Sequence, residues 1–297
     1  MRTQQRLTEA YASARIEPFD DESRLVFMSD CHRGTGGLAD EFGRNENTYL
    51  HALGHYYRNG FTYVEVGDGD ELWENREFKH IKDAHYDVFT TIKHFFDEGR
   101  FILLWGNHNN YLRDPEYVRE HLYTYYHDHQ QKTYEFLDGI EPVEALVLRH
   151  AVTGQEILVV HGHQGDFAND QAWFLTAFSL KYYWQHLHAL GVQNPASPAR
   201  NAVKRHKIER NFSKWIAEHR MALICGHTHR FKYPREGELP YFNSGSCIYP
   251  ASLTAIELEA GEIRIVRWRI VAGPDGVLHV ERQLLRGPDP VAKFDPR

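Results

Sequence analysis

Cysteine is scarce in this chain, with three in 297 residues. Cys31, Cys225 and Cys247 are odd in number and have no paired spacing. That excludes a disulfide scaffold and suits a reducing compartment. They read as small packing residues rather than thiolate metal ligands. No run reaches the roughly 18 apolar residues that a membrane-spanning helix needs. The beginning of the chain lacks a basic start followed by an apolar core, so no signal peptide is expected. Gly34-Thr35-Gly36-Gly37 lacks the Lys-Ser/Thr of a phosphate-cradling loop and reads as a flexible connection. Excess positive charge is also missing. A net charge of −7 excludes indiscriminate nucleic-acid binding by the whole surface. No repeat of solenoid length occurs. The expectation is a cytoplasmic protein, or one peripheral at the inner face of a membrane.

Histidine, by contrast, is abundant, at 20 residues. Several sit in a repeated local grammar: an apolar, strand-like run that stops on Asp, Asn or His, usually beside glycine. Leu25 to Met28 runs into Ser29-Asp30-Cys31-His32, and Tyr63 to Val66 into Gly67-Asp68. Phe101 to Trp105 runs into Gly106-Asn107-His108, and Ile157 to Val160 into His161-Gly162-His163. Ala222 to Cys225 runs into Gly226-His227-Thr228-His229. Short buried strands that deliver polar residues at their carboxyl ends are how open α/β sheets build clefts. These segments span positions 30 to 229, and a domain boundary between them would split the site. One domain over 1–297 is therefore expected, with any extra lobe inserted rather than appended.

Strand–helix alternation over the first half predicts a layered α/β fold. Helices are expected over 3–15, 45–59, 79–98 and from Asp114-Pro115 to about 126. Strands are expected at 144–150, 156–160, 222–225, 252–258, 262–270 and 277–284. An aromatic-rich helix at 170–190 and a basic one at 201–219 suggest a helical cap inserted at about 167–220. The closing Gly287-Pro288-Asp289-Pro290 reads as a loose tail.

Carboxylate, imidazole and amide oxygens together suit first-row divalent metals rather than calcium or a thiolate zinc site. In Asp30-x-His32 both side chains can reach one ion from the same turn. Asp68 has two oxygens and is the natural bridge between two cations. Asn107 adds a neutral amide oxygen, and His161, His227 and His229 complete the set. Two ions roughly 3.5–4 Å apart can hold a hydroxide between them and clamp a phosphorus under in-line attack. One D-x-H or H-x-H alone is weak evidence. Five motifs in order, each after a strand, are strong.

As an ordered set, Asp30-x-His32, Gly67-Asp68, Gly106-Asn107-His108, His161-Gly162 and Gly226-His227-Thr228-His229 resemble the five-block signature of the calcineurin-like metallophosphoesterases. The blocks cover about two thirds of the chain. The resemblance implies a four-layer α/β/β/α sandwich with two metals at the sheet edges. Asp30, His32, Asp68 and His229 would take one ion; Asp68, Asn107, His161 and His227 would take the other. Manganese is the leading identity, with iron, zinc, cobalt and nickel as alternatives. His108 matches the position that contacts phosphate and assists the leaving oxygen.

The long spacer before His227 and the Gly67-Asp68-x-x-Glu71-x-Trp73 run resemble the UDP-2,3-diacylglucosamine diphosphatase branch. That branch carries Arg where His108 stands and Asp where His163 stands. Asn109 also departs from the Asp usual after G-N-H, which makes Glu71 a candidate to orient His108.

The implied activity is hydrolysis of a phosphoester or pyrophosphate by direct attack of a metal-bridging hydroxide. The substrate would be a phosphorylated small molecule or a lipid-linked nucleotide. Arg33, His163, Arg205, Arg210 and Arg230 are candidate substrate contacts. Residues 200–220 hold seven Lys/Arg against two Glu, so this basic helix either faces solvent or binds phosphates. It also keeps a nuclease reading open. Two other readings compete. His161-x-His163 with Asp166 faintly resembles metallo-β-lactamase ligands, one residue out of register, but leaves Asp68 and Asn107 unexplained. A phosphate-binding scaffold without catalysis is the other.

Overall fold

In the computed structural model, the structure describes residues 3–75, 77–127, 130–166 and 202–297. Thirteen strands and six α-helices are found among them. The helices are α1 (Thr3–Ala12), α2 (Glu46–Arg58), α3 (Phe78–Ala84), α4 (Tyr86–Asp97), α5 (Pro115–Leu122) and α6 (Ala202–His219).

Two sheets stack face to face. One has the order β1-β7-β8-β9-β10, built from Arg15–Phe19, Ala145–His150, Glu156–Val160, Ala222–Cys225 and Tyr241–Asn243. The other has the order β13-β12-β11-β2-β3-β4. Its strands are Leu278–Pro290, Glu262–Ala272, Ser252–Glu259, Leu25–Met28, Thr62–Val66 and Phe101–Leu104. A two-stranded ribbon, β5 (Thr124–His127) with β6 (Lys132–Glu135), lies outside both.

Side-chain alternation sets the layers, because successive strand residues point to opposite faces. Leu25, Phe27, Val64, Val66 and Ile102 meet Leu146, Ile157, Val159 and Ile224 between the sheets. Val26, Met28, Tyr63 and Leu103 pack instead against Tyr49, Leu53, Ile81, Ile92 and Phe95 of the first helical layer. On the far side, Val147, Leu158, Val160 and Leu223 meet Leu7 of α1 and Phe212, Trp215 and Ile216 of α6. The result is the four-layer α/β/β/α sandwich that the resemblance implies.

Strands β2, β3 and β4 run parallel, as do β8 and β9. Their carboxyl ends open at one edge of the sandwich. That edge holds the five polar motifs.

Four sequence expectations change. Residues 202–219, assigned to the end of an inserted cap, are a helix of the outer layer, because Phe212, Trp215 and Ile216 are fully buried against α1 and the sheet. The rest of the cap, including the aromatic helix at 170–190, lies outside the described residues. The helix expected over 79–98 is two helices broken at His85. The run expected to stay helical to about 126 ends at Leu122, and Thr124 to His127 pair with β6. The supposed tail is ordered edge strand: Asp289 and Pro290 pair with β12, and Val291 and Phe294 are buried. Prolines are tolerated there because an edge strand has one unpaired side. None of the described helices is long and apolar enough to cross a membrane.

Candidate metal centre

Three of the five motifs reach the open edge through an unusual backbone at their ligand residues. Nine non-glycine residues among those described have positive φ, and five of them are Asp30, His32, Asp68, His227 and His229. L-residues avoid this left-handed region, at a cost of order 1–3 kcal/mol each. Here the bend turns each side chain from the strand direction into the cleft. Glycine makes room beside them. A Cβ on Gly67 would lie 2.7 Å from the His161 ring, and one on Gly106 would lie 2.2 Å from Asp68 Oδ1.

The side chains converge as two adjoining groups. Asp30, His32 and His229 bring their ligand atoms together, and so do Asp68, His161 and His227. Nε2 of His229 lies 3.1 Å from Asp30 Oδ1 and 3.3 Å from His32 Nε2. Nε2 of His161 lies 3.0 Å from Asp68 Oδ2, which is 3.9 Å from His32 Nε2. Asp68 thus stands between the groups, where the sequence places a bridge.

The remaining hydrogen bonds fix which atoms face inward. His161 gives Nδ1–H to the Val66 carbonyl at 2.9 Å, leaving an Nε2 lone pair. His32 Nδ1 is 3.0 Å from Glu71 Oε2, which likewise frees its Nε2. Asp68 Oδ1 accepts from the His108 amide at 2.8 Å, and Asp30 Oδ2 from the His227 amide at 2.9 Å and from the Ser29 hydroxyl. Their other oxygens remain for the cleft.

Three acceptors in the motifs have no hydrogen-bond partner although they are buried: Asp30 Oδ1, Asn107 Oδ1 and His161 Nε2. Buried acceptors left unpaired cost about 1–3 kcal/mol each. Lone pairs facing one another at contact distance repel unless a proton or cation lies between them. Oxygen and imidazole donors in two adjoining sets fit divalent first-row cations. The residues present therefore fit a bound metal cation.

The electrostatics agree. Burial alone would raise both carboxyls, but positive charge on the surrounding imidazoles, protonated where no cation lies between the facing groups, outweighs it. Asp30 is held at about 2, chiefly by His229, and Asp68 well below the usual range, chiefly by His161. Both are ionised acceptors at neutral pH. Burial next to His161 and His227 drives His163 well below an ordinary histidine, so it is neutral.

His108 sits at the mouth. Its Nδ1 is 2.6 Å from Glu71 Oε2, and Trp73 stacks on its ring at 4.2 Å. Burial opposes protonation, yet the charges of Glu71 and Asp68 raise His108 to about 9. Asn109, which occupies the position usual for the orienting acid, accepts from the Gly106 and Asp68 amides at 2.6 and 3.3 Å. It shapes the loop, and Glu71 holds the imidazole.

The predicted substrate contacts separate. Arg33 is a correction: it is 1% exposed, with Nη1 and Nη2 each 2.8 Å from Glu65 and Nε 2.8 Å from Asp70. A guanidinium so committed cannot reach a ligand. His163 is buried beside His161 and Trp105, each ring 5.6 Å away, and its Nδ1 is unpaired. Arg230 is exposed next to His229, and its charge and that of half-buried Arg205 both act on Tyr249. Tyr249 in turn donates to the His229 carbonyl. Arg210 is exposed on α6, and no described contact ties it to the centre.

Sequence reasoning missed Ser29, Ser244, Glu65, Asp70 and Tyr249. Ser29 and Ser244 share a hydrogen bond of 2.7 Å under Asp30. Glu65 alone carried a signal, as a charge within an apolar strand run.

No family model matches the chain, and no curated protein is found similar to it. Similar solved structures include vacuolar protein sorting 29 from Cryptosporidium parvum, at 12% identity and TM-score 0.34, covering 89% of this chain and 98% of that one. The same protein from Chaetomium thermophilum shows 11% identity and TM-score 0.39, covering 90% and 97%. A point mutant of a cold-active protein tyrosine phosphatase shows 13% identity and TM-score 0.41, covering 90% and 83%.

Proposed function

We propose that this chain is a metal-dependent hydrolase of phosphoester or pyrophosphate bonds. The observation that carries the reading is the convergence of Asp30, His32 and His229 beside Asp68, His161 and His227, with Asp30 Oδ1 and His161 Nε2 buried and unpaired. Asp30, His32 and His229 would hold one cation, Asn107, His161 and His227 the other, with Asp68 shared. Bound there, two divalent ions, manganese foremost, would supply Lewis-acid polarisation of phosphoryl oxygens and activation of water at neutral pH.

The chain's own residues do the rest. Glu71 fixes His108 by Nδ1, leaving Nε2 to hand a proton to the departing oxygen. Arg230 and Arg205 present cations at the rim, where an anionic group would dock. Neutral His163 offers an unpaired Nδ1 deep in the cleft. Attack by a protein thiol is not part of the reading. All three cysteines are buried, and burial pushes Cys225 and Cys247 far up.

The test is hydrolysis by metal-depleted protein, with and without added manganese. The panel comprises an aryl phosphate monoester, a diester, a nucleotide pyrophosphate and a lipid-linked UDP-sugar. Manganese-dependent turnover of at least one is expected, and Asp68→Ala and His227→Ala should abolish it. Undiminished turnover in a chelator, or in either variant, defeats the reading. The class that turns over fastest identifies the substrate.

A further inference from the structure

A chain of buried charges lies directly beneath the centre. Arg33 is the residue after His32, and its guanidinium bridges two acids. Both terminal nitrogens bond Glu65 on β3, and Nε bonds Asp70, two residues beyond Asp68. All three are almost fully buried. Tyr63 donates to the same Glu65 at 2.7 Å, and Tyr49 shares a 2.6 Å bond with Tyr63. The Phe89 ring lies 5.1 Å from the guanidinium carbon.

The backbone shows what this network holds. Beyond the ends of β2 and β3 the two ligand loops stay laced together. The Asp30 amide bonds the Gly67 carbonyl at 3.2 Å, the His32 amide bonds Asp68 at 2.9 Å, and the Arg33 amide bonds Gly69 at 2.9 Å. The Glu71 amide returns to the Arg33 carbonyl at 3.0 Å. This ladder carries Asp30 and His32 on one rail, and Asp68 and Glu71 on the other. Gly69 rests on the ion pair so closely that a Cβ would sit 1.9 Å from Glu65 Oε1 and 2.5 Å from Arg33 Nη2. The rails therefore sit at a height set by the pair beneath.

A buried ion pair is a poor way to gain stability, because desolvation offsets its attraction, and its better-attested use is to fix one arrangement over others. Only the planar fork of arginine satisfies both acids at once. We propose that Arg33, Glu65 and Asp70 are positioning residues that clamp the Asp30–His32 and Asp68–Glu71 loops at the spacing two cations require. The inference rests on the metal reading above.

The test titrates manganese into metal-depleted protein and follows free and bound ion by electron paramagnetic resonance. Wild type is expected to bind two ions per chain with the signature of a magnetically coupled pair. Arg33→Lys keeps the charge but loses the fork. It should unfold cooperatively, bind manganese at least tenfold more weakly, and show isolated-ion signals at saturation. Glu65→Gln, which breaks half of the fork, should do the same and carries the test if Arg33→Lys does not fold. Glu257→Gln disrupts an acid–arginine pair elsewhere in this sheet, between buried Glu257 and exposed Arg282, and controls for general loss of stability. It should leave affinity and coupling unchanged. Coupled binding within twofold of wild type in Arg33→Lys or Glu65→Gln overturns the clamp alone. A wild-type chain that binds no divalent cation overturns the metal reading and the clamp with it.

Discussion

Glu71 Oε2 lies 3.0 Å from His32 Nδ1 and 2.6 Å from His108 Nδ1, so one carboxylate oxygen serves a candidate metal ligand and the candidate proton donor together. Burial would raise Glu71, but His108 and His32 outweigh it and hold the acid at about 2. It is an ionised acceptor for both rings across the working pH range.

Glu71→Gln is therefore expected to weaken two functions. General-acid catalysis contributes about 10²–10⁴-fold, and its loss is felt most when the leaving group is poor. The variant should lose about 100-fold in kcat on an alkyl phosphate and less than tenfold on a nitrophenyl ester, with His108→Asn showing the same split. Removing a carboxylate behind a ligating histidine should also lower cation affinity by about 10–100-fold. Equal losses on both esters would place His108 outside leaving-group chemistry.

The left-handed backbone at the ligands predicts an inverted order of stabilities. At most positions glycine is less stable than alanine. Where φ is positive, alanine is strained and glycine is not. His229 has φ of 51°, and both variants lack the imidazole. In metal-depleted protein, His229→Gly should unfold about 1 kcal/mol later than His229→Ala, as read by urea titration. The ordinary order would mean that the left-handed turn is not kept in solution.

Much of this candidate centre was legible because each proposed ligand follows a short, buried and mostly apolar strand, and such a strand ends where polar residues resume. Asp30, Asp68, Asn107, His161, His227 and His229 all came from that one rule. What failed depended on distant partners. His85 breaks the helix expected over 79–98, and the reason is 45 and 39 residues away, where Asp40 and Glu46 hold its ring at 2.8 and 3.0 Å. Arg33 looked like a phosphate contact because it follows a ligand histidine. Nothing local announced that Glu65, facing the helical layer from mid-strand, would take its charge. Gly287 to Pro290 looked loose because prolines disfavour sheets, yet Tyr233 donates to Asp289 at 2.8 Å and β12 pairs the backbone.

Gly106→Ala tests how tightly the bridge is seated. A Cβ there would meet Asp68 Oδ1 at 2.2 Å, the Asp68 amide nitrogen at 2.7 Å and the His161 ring at 2.8 Å. Backbone cannot yield cheaply, and overpacking of this kind costs about 1–3 kcal/mol. The variant should fold with a lowered denaturant midpoint and lose detectable manganese binding. Gly37→Ala, where nothing lies within 4 Å, should change neither. Normal cation affinity in Gly106→Ala would show that Asp68 can shift without loss of the site.

The His85 cluster gives a pH dependence whose sign can be worked out. Burial opposes its protonation, but bonds to Asp40 and Glu46 outweigh that and raise His85 above 6.5. A raised folded-state value adds stability that is complete below the unfolded value, about 6.5, and fades as pH rises through the folded one. Asp40, lowered from 3.8 by His85 against its own burial, adds stability present above 3.8 and lost as pH falls through the lowered value. The cluster is thus most stabilising between about pH 4 and 6.5. His85→Gln keeps hydrogen-bonding groups but not the charge. In urea unfolding it should be destabilised by about 2 kcal/mol at pH 6, as for hydrogen bonds to charged groups, and by clearly less at pH 9. Because Asp40 Oδ2 also accepts the Gly36 amide at 2.8 Å, the loop after Arg33 should loosen in parallel, with faster amide exchange at 34–40. A deficit that does not change with pH would mean that His85 is neutral in the folded chain.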